Sequence, residues 1–508
     1  MDPNREQPTS GGADGACGRG SEGSRIEARA SRSGPVGEVG IGSRPTGRFA
    51  RGIRFRLRTS GVEASARLLA WAIVSLADLV WTGIGGVFLP THERRLRRDE
   101  SLARAVARAV SVLGRLKGAF AKAGQFAAIR HDLLPPATAT ALAGLRDRVP
   151  PLPGSEIRDQ LAREFGRPID RVFASFDFEP IGSASIAQAH RARLRDGAEV
   201  VVKIQYPWIE DALDADLAIL RCVGHALVRL TGRSSREIDF DRFFDEFAAG
   251  LASELDFLEE ARSAAEIAVN LSDLPDVVVP AVHRELTTRR ILTMAFHPCV
   301  NIADHAGLDA LGVPRAAVVA SLARAYAKQV FVDGLFHADP HPGNLFVLAD
   351  ATAASSPRVL FVDFGLCRRL SPELRRAMRA GLYAVLQRDL EAFVARMQDM
   401  RMIAPGAEPG VRAAVARMFD RLASAGGGAG ALGASTRGVL ALKDEAKQLL
   451  QETPGLQLPN DLLLYAKTLS YLFALGESLD PGVDLMKIAL PYLLRFLAER
   501  EPDAQAAR

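Results

Sequence analysis

Two carboxylates and one amide in this chain are spaced to work on a phosphate. Asp339 and Asn344 stand five positions apart in His337-Ala338-Asp339-Pro340-His341-Pro342-Gly343-Asn344, and Asp363 opens Asp363-Phe364-Gly365 directly after an apolar run. Phosphoryl transfer needs one carboxylate beside the attacking oxygen. It also needs an amide and a second carboxylate that hold Mg²⁺ against the polyphosphate. The spacing makes Asp339 the candidate catalytic base, Asn344 and Asp363 the candidate metal ligands, and ATP with Mg²⁺ the implied cofactors.

A tight loop between short strands can aim three such groups at one point. Pro340, Pro342 and Gly343 suit that loop, since proline fixes φ and glycine frees it. Residues 345–348 and 359–362 are short apolar runs bounded by turn residues, and they read as the flanking strands. A third strand carries Lys203 in Glu199-Val200-Val201-Val202-Lys203-Ile204-Gln205, after the hairpin signal Asp196-Gly197. A lysine in so apolar a strand is costly to bury unpaired, so a phosphate and a carboxylate are its expected partners. An edge-strand lysine with its ammonium in water is the alternative. Before the hairpin, Gly182, Ser183, Ala184 and Ser185 begin a small-residue loop reaching to His190, where backbone N–H groups can approach a nucleotide.

The ordered set of motifs resembles the UbiB/AarF family of atypical kinases, which includes the mitochondrial ADCK and Coq proteins. The resemblance rests on Lys122-Ala123-Gly124-Gln125, the Ala-rich loop 182–190, Val202-Lys203, Glu254-Leu255-Asp256, Glu260-Ala261, the run from His337 to Asn344, and Asp363-Phe364-Gly365. These occur in family order over about residues 110 to 370. It implies that a helix bearing Lys122 and Gln125 lies across the active site, with Lys122 meeting Glu254 and Asp256 and blocking the groove for a protein substrate. It also implies a kinase-type pair between Lys203 and Glu260, with the neighbouring Glu259 as the alternative.

The elements that must position these groups follow from patterning. Residues 101–134 are helical and Ala-rich up to Pro135-Pro136. Residues 239–270 read as one long helix in which Asp256 and Glu260, four apart, share a face. Residues 277–280 and 291–294 supply further strands of the small lobe; Met294 ends the second as a nucleotide contact, and residues 295–300 form the hinge. Ser371-Pro372-Glu373 starts a helix six positions after Gly365, which leaves no room for an activation segment. From there to about residue 497 the chain is helical, apart from the Gly/Ala-rich loop 425–434.

Composition sets the outer limits. The 508 residues, 48% of them hydrophobic, fit a globular kinase-like body with extensions, and a net charge of +4 gives no argument for nucleic acid. The 4 cysteines are far apart, without metal-ligand spacing, and suit a reducing compartment. Residues 1–60 are rich in Gly, Ser and Arg and are expected to be disordered. Residues 68–89 form the main apolar run, long enough for a bilayer but carrying Asp78, and read equally as a membrane or interfacial segment and as a buried helix.

The expected fold is α+β: a bilobal protein-kinase-like fold with a helical N-terminal extension over the active site. Its divisions are 1–60, disordered; 61–100, the apolar segment and basic flank; 101–150, the helical extension; 151–300, the N-lobe; and 301–508, the helical C-lobe. The resemblance implies an Mg²⁺-dependent ATPase or atypical kinase supporting isoprenoid-quinone (ubiquinone) biosynthesis or related membrane lipid metabolism. Its partners would be ATP, a lipid or quinone precursor, an anionic membrane, and a second copy or a biosynthetic complex. Its place would be the cytoplasmic face of an inner membrane. A non-catalytic nucleotide-binding scaffold and a small-molecule phosphotransferase of the aminoglycoside-kinase type are the other readings.

Overall fold

The computed structural model describes residues 151–231, 240–350, 352–424 and 455–499, together with residues 74, 93, 119, 122, 123, 449 and 453. Helix α1 (Gly154–Phe165) precedes three antiparallel strands, β1 (Phe173–Ser183), β2 (Ala187–Leu194) and β3 (Glu199–Gln205). The β2–β3 hairpin turns at Asp196-Gly197, with Gly197 at φ 92°, a conformation that glycine adopts without a steric cost. Alternation then sorts β3. Val200, Val202 and Ile204 are fully buried with Ile157, Leu161 and Phe173, which puts Lys203 on the opposite face.

Helices α2 (Ile209–Thr231), α3 (Phe240–Glu254) and α4 (Phe257–Asn270) follow. The single helix expected over residues 239–270 is therefore two. Asp256 leaves helical geometry (φ −107°, ψ 95°), and its side chain accepts the Leu258 N–H as the N-cap of α4. An aspartate competes for nearby backbone groups and is worth more at a cap than inside a helix. Leu255 and Phe257 on either side are buried in one cluster with Ala187, Leu292 and Met294, so the corner is pinned to the sheet.

Beyond α4 come β4 (Val277–Val278), β5 (Ile291–Ala295), β6 (Cys299–Asn301), α5 (His305–Ala310) and α6 (Arg315–Ala327), which widens into a π-helical turn at Lys328–Asp333. Next are β7 (Leu335–His337), β8 (Leu345–Leu348), β9 (Val359–Phe361) and β10 (Cys367–Arg369). Helices α7 (Pro372–Gln387), α8 (Leu390–Asp399), α9 (Glu408–Ser424), α10 (Asn460–Leu479) and α11 (Leu485–Ala498) complete the described chain. β5 closes the first sheet in the order β1-β2-β3-β5, setting Lys203 opposite Leu292 and Val201 opposite Met294. β4, expected in that sheet, instead pairs in parallel with β9 in a second sheet of order β4-β9-β8-β6. Two residues are too few to carry a face pattern, so nothing in the local sequence distinguishes the two sheets.

The second lobe has one main core. Val318, Leu322 and Tyr326 of α6 pack with Leu345 and Val347 of β8, Val359 and Phe361 of β9, and Leu472, Phe473, Leu475 and Leu479 of α10. The helix start expected at Ser371-Pro372-Glu373 is present: Ser371 caps α7 by accepting the Leu374 N–H. Among the described residues no helix is long and apolar enough to cross a membrane. The segment 68–89 lies outside them except for Val74, as do the N-terminal 60 residues and the loop 425–434.

Candidate active site

Strand geometry brings the distant carboxylates to one place. Leu345 pairs with Phe361 across β8 and β9, and the Val362 N–H donates to the Asn344 carbonyl at 3.0 Å. Asn344 and Asp363 therefore emerge from the same end of two paired strands. Asn344 Nδ2 donates to the Asp339 carbonyl at 3.2 Å and lies 3.4 Å from Asp339 Oδ2, while Asn301 Nδ2 donates to the Pro342 carbonyl at 2.7 Å. The Asp339–Asn344 loop is thus tied across itself and to β6.

Lys203 meets this end from the other lobe. Its Nζ is 2.9 Å from both Glu260 oxygens and 3.0 Å from Asp363 Oδ1. Glu260 is almost fully buried (side chain 2% exposed), and Asp363 faces the cleft at 43%. Burial pushes the Glu260 carboxyl up to about 7 against the opposing charge of Lys203. For Asp363 desolvation also acts upward, but the Lys203 ammonium, its hydrogen bond and the charge of Lys122 hold the carboxyl well below the usual range. Asp363 stays an anion, as a metal ligand must.

The backbone of Asp363 is held as firmly as its charge. Its φ is 61°, a left-handed conformation disfavoured for a non-glycine residue. His337 Nε2 lies 2.9 Å from the Asp363 carbonyl; a carbonyl can only accept, so Nε2 donates. The ring is set in turn by the Tyr326 hydroxyl, 3.3 Å from Nδ1, and its backbone N–H donates to Gln329 Oε1 at 2.9 Å. Gln329 comes from the π-helical turn, which is where such turns tend to serve a site.

The loop between β1 and β2 is a close hairpin, with Ser183 paired to Gln188 and the Ala184 N–H donating to Ala187. Gly182 and Ser183 end β1, and Ala184 and Ser185 form the turn. Buried polar groups stiffen it. Gln188 lies 2.7 Å from His190 Nε2, His190 Nδ1 is 2.8 Å from the Asp177 carbonyl, and Gln188 Oε1 accepts the Leu152 N–H. Burial lowers the pKa of His190, which favours the neutral ring that this pattern requires. Met294 is buried beside Leu292 on the Lys203 face of the sheet.

Lys122 is helical and sits 2.6 Å from Glu254 Oε2. Burial acts to lower its pKa, but Glu254 and, more weakly, the charges of Asp363 and Asp339 raise it well above the usual range. Asp256 does not share the Lys122 contact. As the cap of α4 it accepts the Leu258 N–H and lies 3.7 Å from Arg289. Gln125 lies outside the described residues.

One neighbour of Asp339 was not anticipated. Lys467 of α10 places Nζ 3.0 Å from Asp339 Oδ1. Composition held the signal: only eight lysines stand among the 64 basic residues, and Lys122, Lys203 and Lys467 each meet a carboxylate of this cleft.

Among the described residues no three His, Cys, Asp or Glu side chains are grouped to hold a metal unaided. The Asp363 carboxylate and the Asn344 amide oxygen, whose NH₂ is committed to Asp339, would supply the two protein ligands typical of Mg²⁺ shared with substrate phosphates. The residues present fit such an ion.

Two α+β lobes meeting at a Lys–Glu pair, an Asp–Asn loop and an Asp-Phe-Gly turn define a protein-kinase-like molecule. Residues 144–397 match the ABC1 atypical kinase-like domain. The chain belongs to the ABC1/UbiB family of atypical kinases. It is 32% identical over 430 residues to a probable protein kinase UbiB of Xanthomonas campestris, covering 83% of this chain and 74% of that one. It is also 32% identical over 434 residues to Activity of BC1 complex kinase 8, chloroplastic, from Arabidopsis thaliana, covering 81% of this chain but only 56% of that longer relative. The solved structure of Rv3197 from Mycobacterium tuberculosis with erythromycin shares the fold, at 24% identity and a TM-score of 0.50, over 79% of this chain and 98% of that one.

Proposed function

We propose that this chain is an Mg²⁺-dependent ATP-using atypical kinase or ATPase that acts on a small or lipid-linked acceptor. The observation that carries the reading is Lys203 held between Glu260 and Asp363, with Asp339 and Asn344 at the adjoining strand end. In this reading Lys203 meets the phosphates, Asp363 and Asn344 hold the ion, and Asp339 takes the proton of the attacking group. The bound ion would screen the phosphate charge. The β1–β2 hairpin from Gly182 to Ser185 covers the nucleotide. Support for a non-peptide acceptor comes from α7, which begins at Pro372 and leaves no activation segment. A role in isoprenoid-quinone biosynthesis at a membrane surface follows from the UbiB relationship.

Asp363→Asn and Asp339→Asn test the assignment by calorimetry and phosphate release. Asp363→Asn should abolish Mg²⁺-dependent ATP affinity, whereas Asp339→Asn should leave affinity intact and lower turnover by about 10²-fold or more. Wild-type Mg²⁺-ATP affinity in Asp363→Asn would remove the site.

A further inference from the structure

We propose that Lys467 is a catalytic residue of this cleft, the acceptor-side cation of phosphoryl transfer, supplied by α10 because the catalytic loop has none of its own. The inference rests on the phosphoryl-transfer reading above and extends it to a residue far outside the motifs. Between Asp339 and Asn344 the loop contains no lysine or arginine, and His341 spends Nδ1 accepting the Gly343 N–H at 3.0 Å. The charge beside Asp339 arrives instead from a position 128 residues downstream.

Geometry places this ammonium at the reacting centre. A general base works within about 3 Å of the oxygen it deprotonates. Lys467 Nζ is 3.0 Å from Asp339 Oδ1, so it stands on the acceptor side, while Lys203 stands on the Glu260 side of the cleft. Asn344 faces the other Asp339 oxygen at 3.4 Å, so the base is oriented from both sides. The pair is part-exposed (20% and 32%) and open to incoming groups. Tyr471, one turn along α10, carries Lys467 over its ring at 5.6 Å and meets His341 edge-on at 6.3 Å, which fixes where the lysine stem can reach.

The step balances with ATP and a hydroxyl acceptor or water. The acceptor oxygen bonds to the γ-phosphorus as its proton passes to Asp339. The bond from that phosphorus to the β,γ-bridging oxygen breaks, and its electron pair leaves on ADP. Lys467 then pairs with the equatorial oxygens of the transferred group, where charge is spread in the transition state.

The test uses the full chain with Lys467→Met and Lys467→Arg, measuring Mg²⁺-ATP affinity, kcat, KM and the melting temperature. Lys467→Met should lower kcat by about 10²-fold with affinity and KM for ATP within about threefold of wild type. Lys467→Arg should recover most of the loss. A Lys467→Met protein with wild-type kcat overturns the proposal. So does a Lys467→Arg protein as slow as Lys467→Met with an unchanged melting temperature, since a cation would then be irrelevant. If Lys467→Met does not fold, a folded Lys467→Gln takes its place with the same two outcomes. Asp363→Asn run in parallel separates the two readings: if it binds and turns over as wild type, the phosphoryl-transfer site fails, and if it is inactive while Lys467→Met is fast, only the role of Lys467 fails.

Discussion

Above about pH 7, where the buried Glu260 carboxyl is ionised, replacing Glu260 by Gln keeps the volume of the side chain and removes its charge at the centre of the cleft. The carboxylate takes Lys203 on both oxygens at 2.9 Å and also accepts the Phe364 backbone N–H, whereas an amide has one oxygen and brings two N–H donors toward an ammonium. Breaking a buried ion pair from one side costs about 3–5 kcal/mol when the remaining charge is stranded. Here Lys203 keeps Asp363 at 3.0 Å, so the loss should be about half, near 2 kcal/mol. Glu259 is the internal control: 53% exposed and paired with Arg262 one turn away, it should cost about 0.5 kcal/mol or less as Gln. Urea unfolding of both variants reads the difference as a change in midpoint at constant slope. Equal stabilities for Glu260→Gln and Glu259→Gln would refute the claim that the Lys203 pair is a buried, structure-bearing contact.

Asp256→Ala removes the cap of α4 and should cost about 1 kcal/mol without altering nucleotide affinity, while Glu254→Gln frees Lys122 and should change that affinity with little loss of stability; calorimetry and unfolding on each variant check the separation, and identical behaviour would restore Asp256 to the Lys122 contact. If residues 68–89 bind lipid, deleting residues 1–95 should abolish flotation with liposomes containing anionic lipid, and equal flotation of both forms would move the lipid contact elsewhere.

The strands around the candidate site and the cleft-facing side of Lys203 were legible because each rests on a local constraint, namely alternation in β3, a glycine turn, or a fixed spacing between polar groups; the Glu260 partner, 57 positions away, was implied only by the family resemblance. What the sequence hid depends on competition between elements. Asp256 shares a helical face with Glu260 on paper, yet the energy of capping wins over continuing the helix. Val277 and Val278 fit either sheet by composition, and only the packing of β9 decides between them. The His190–Gln188 brace is buried polar chemistry that a small-residue loop does not announce. Lys467 is separated from Asp339 by 128 positions, so no motif links them; the scarcity of lysine was the one available clue.

The packing of α10 bears on where this molecule can be cut. The match to the ABC1 kinase-like domain ends at residue 397, but Leu472, Phe473, Leu475 and Leu479 lie beyond it and pack with the same strands that present Asn344 and Asp363. Each is a large apolar side chain whose removal from water is worth about 1.5–3 kcal/mol, so a fragment stopping at 397 would give up a sum comparable to the whole margin by which a domain of this kind holds together. A minimal excised unit must therefore retain the helices to Ala498, and the boundary of the matched domain is not the boundary of the folding unit.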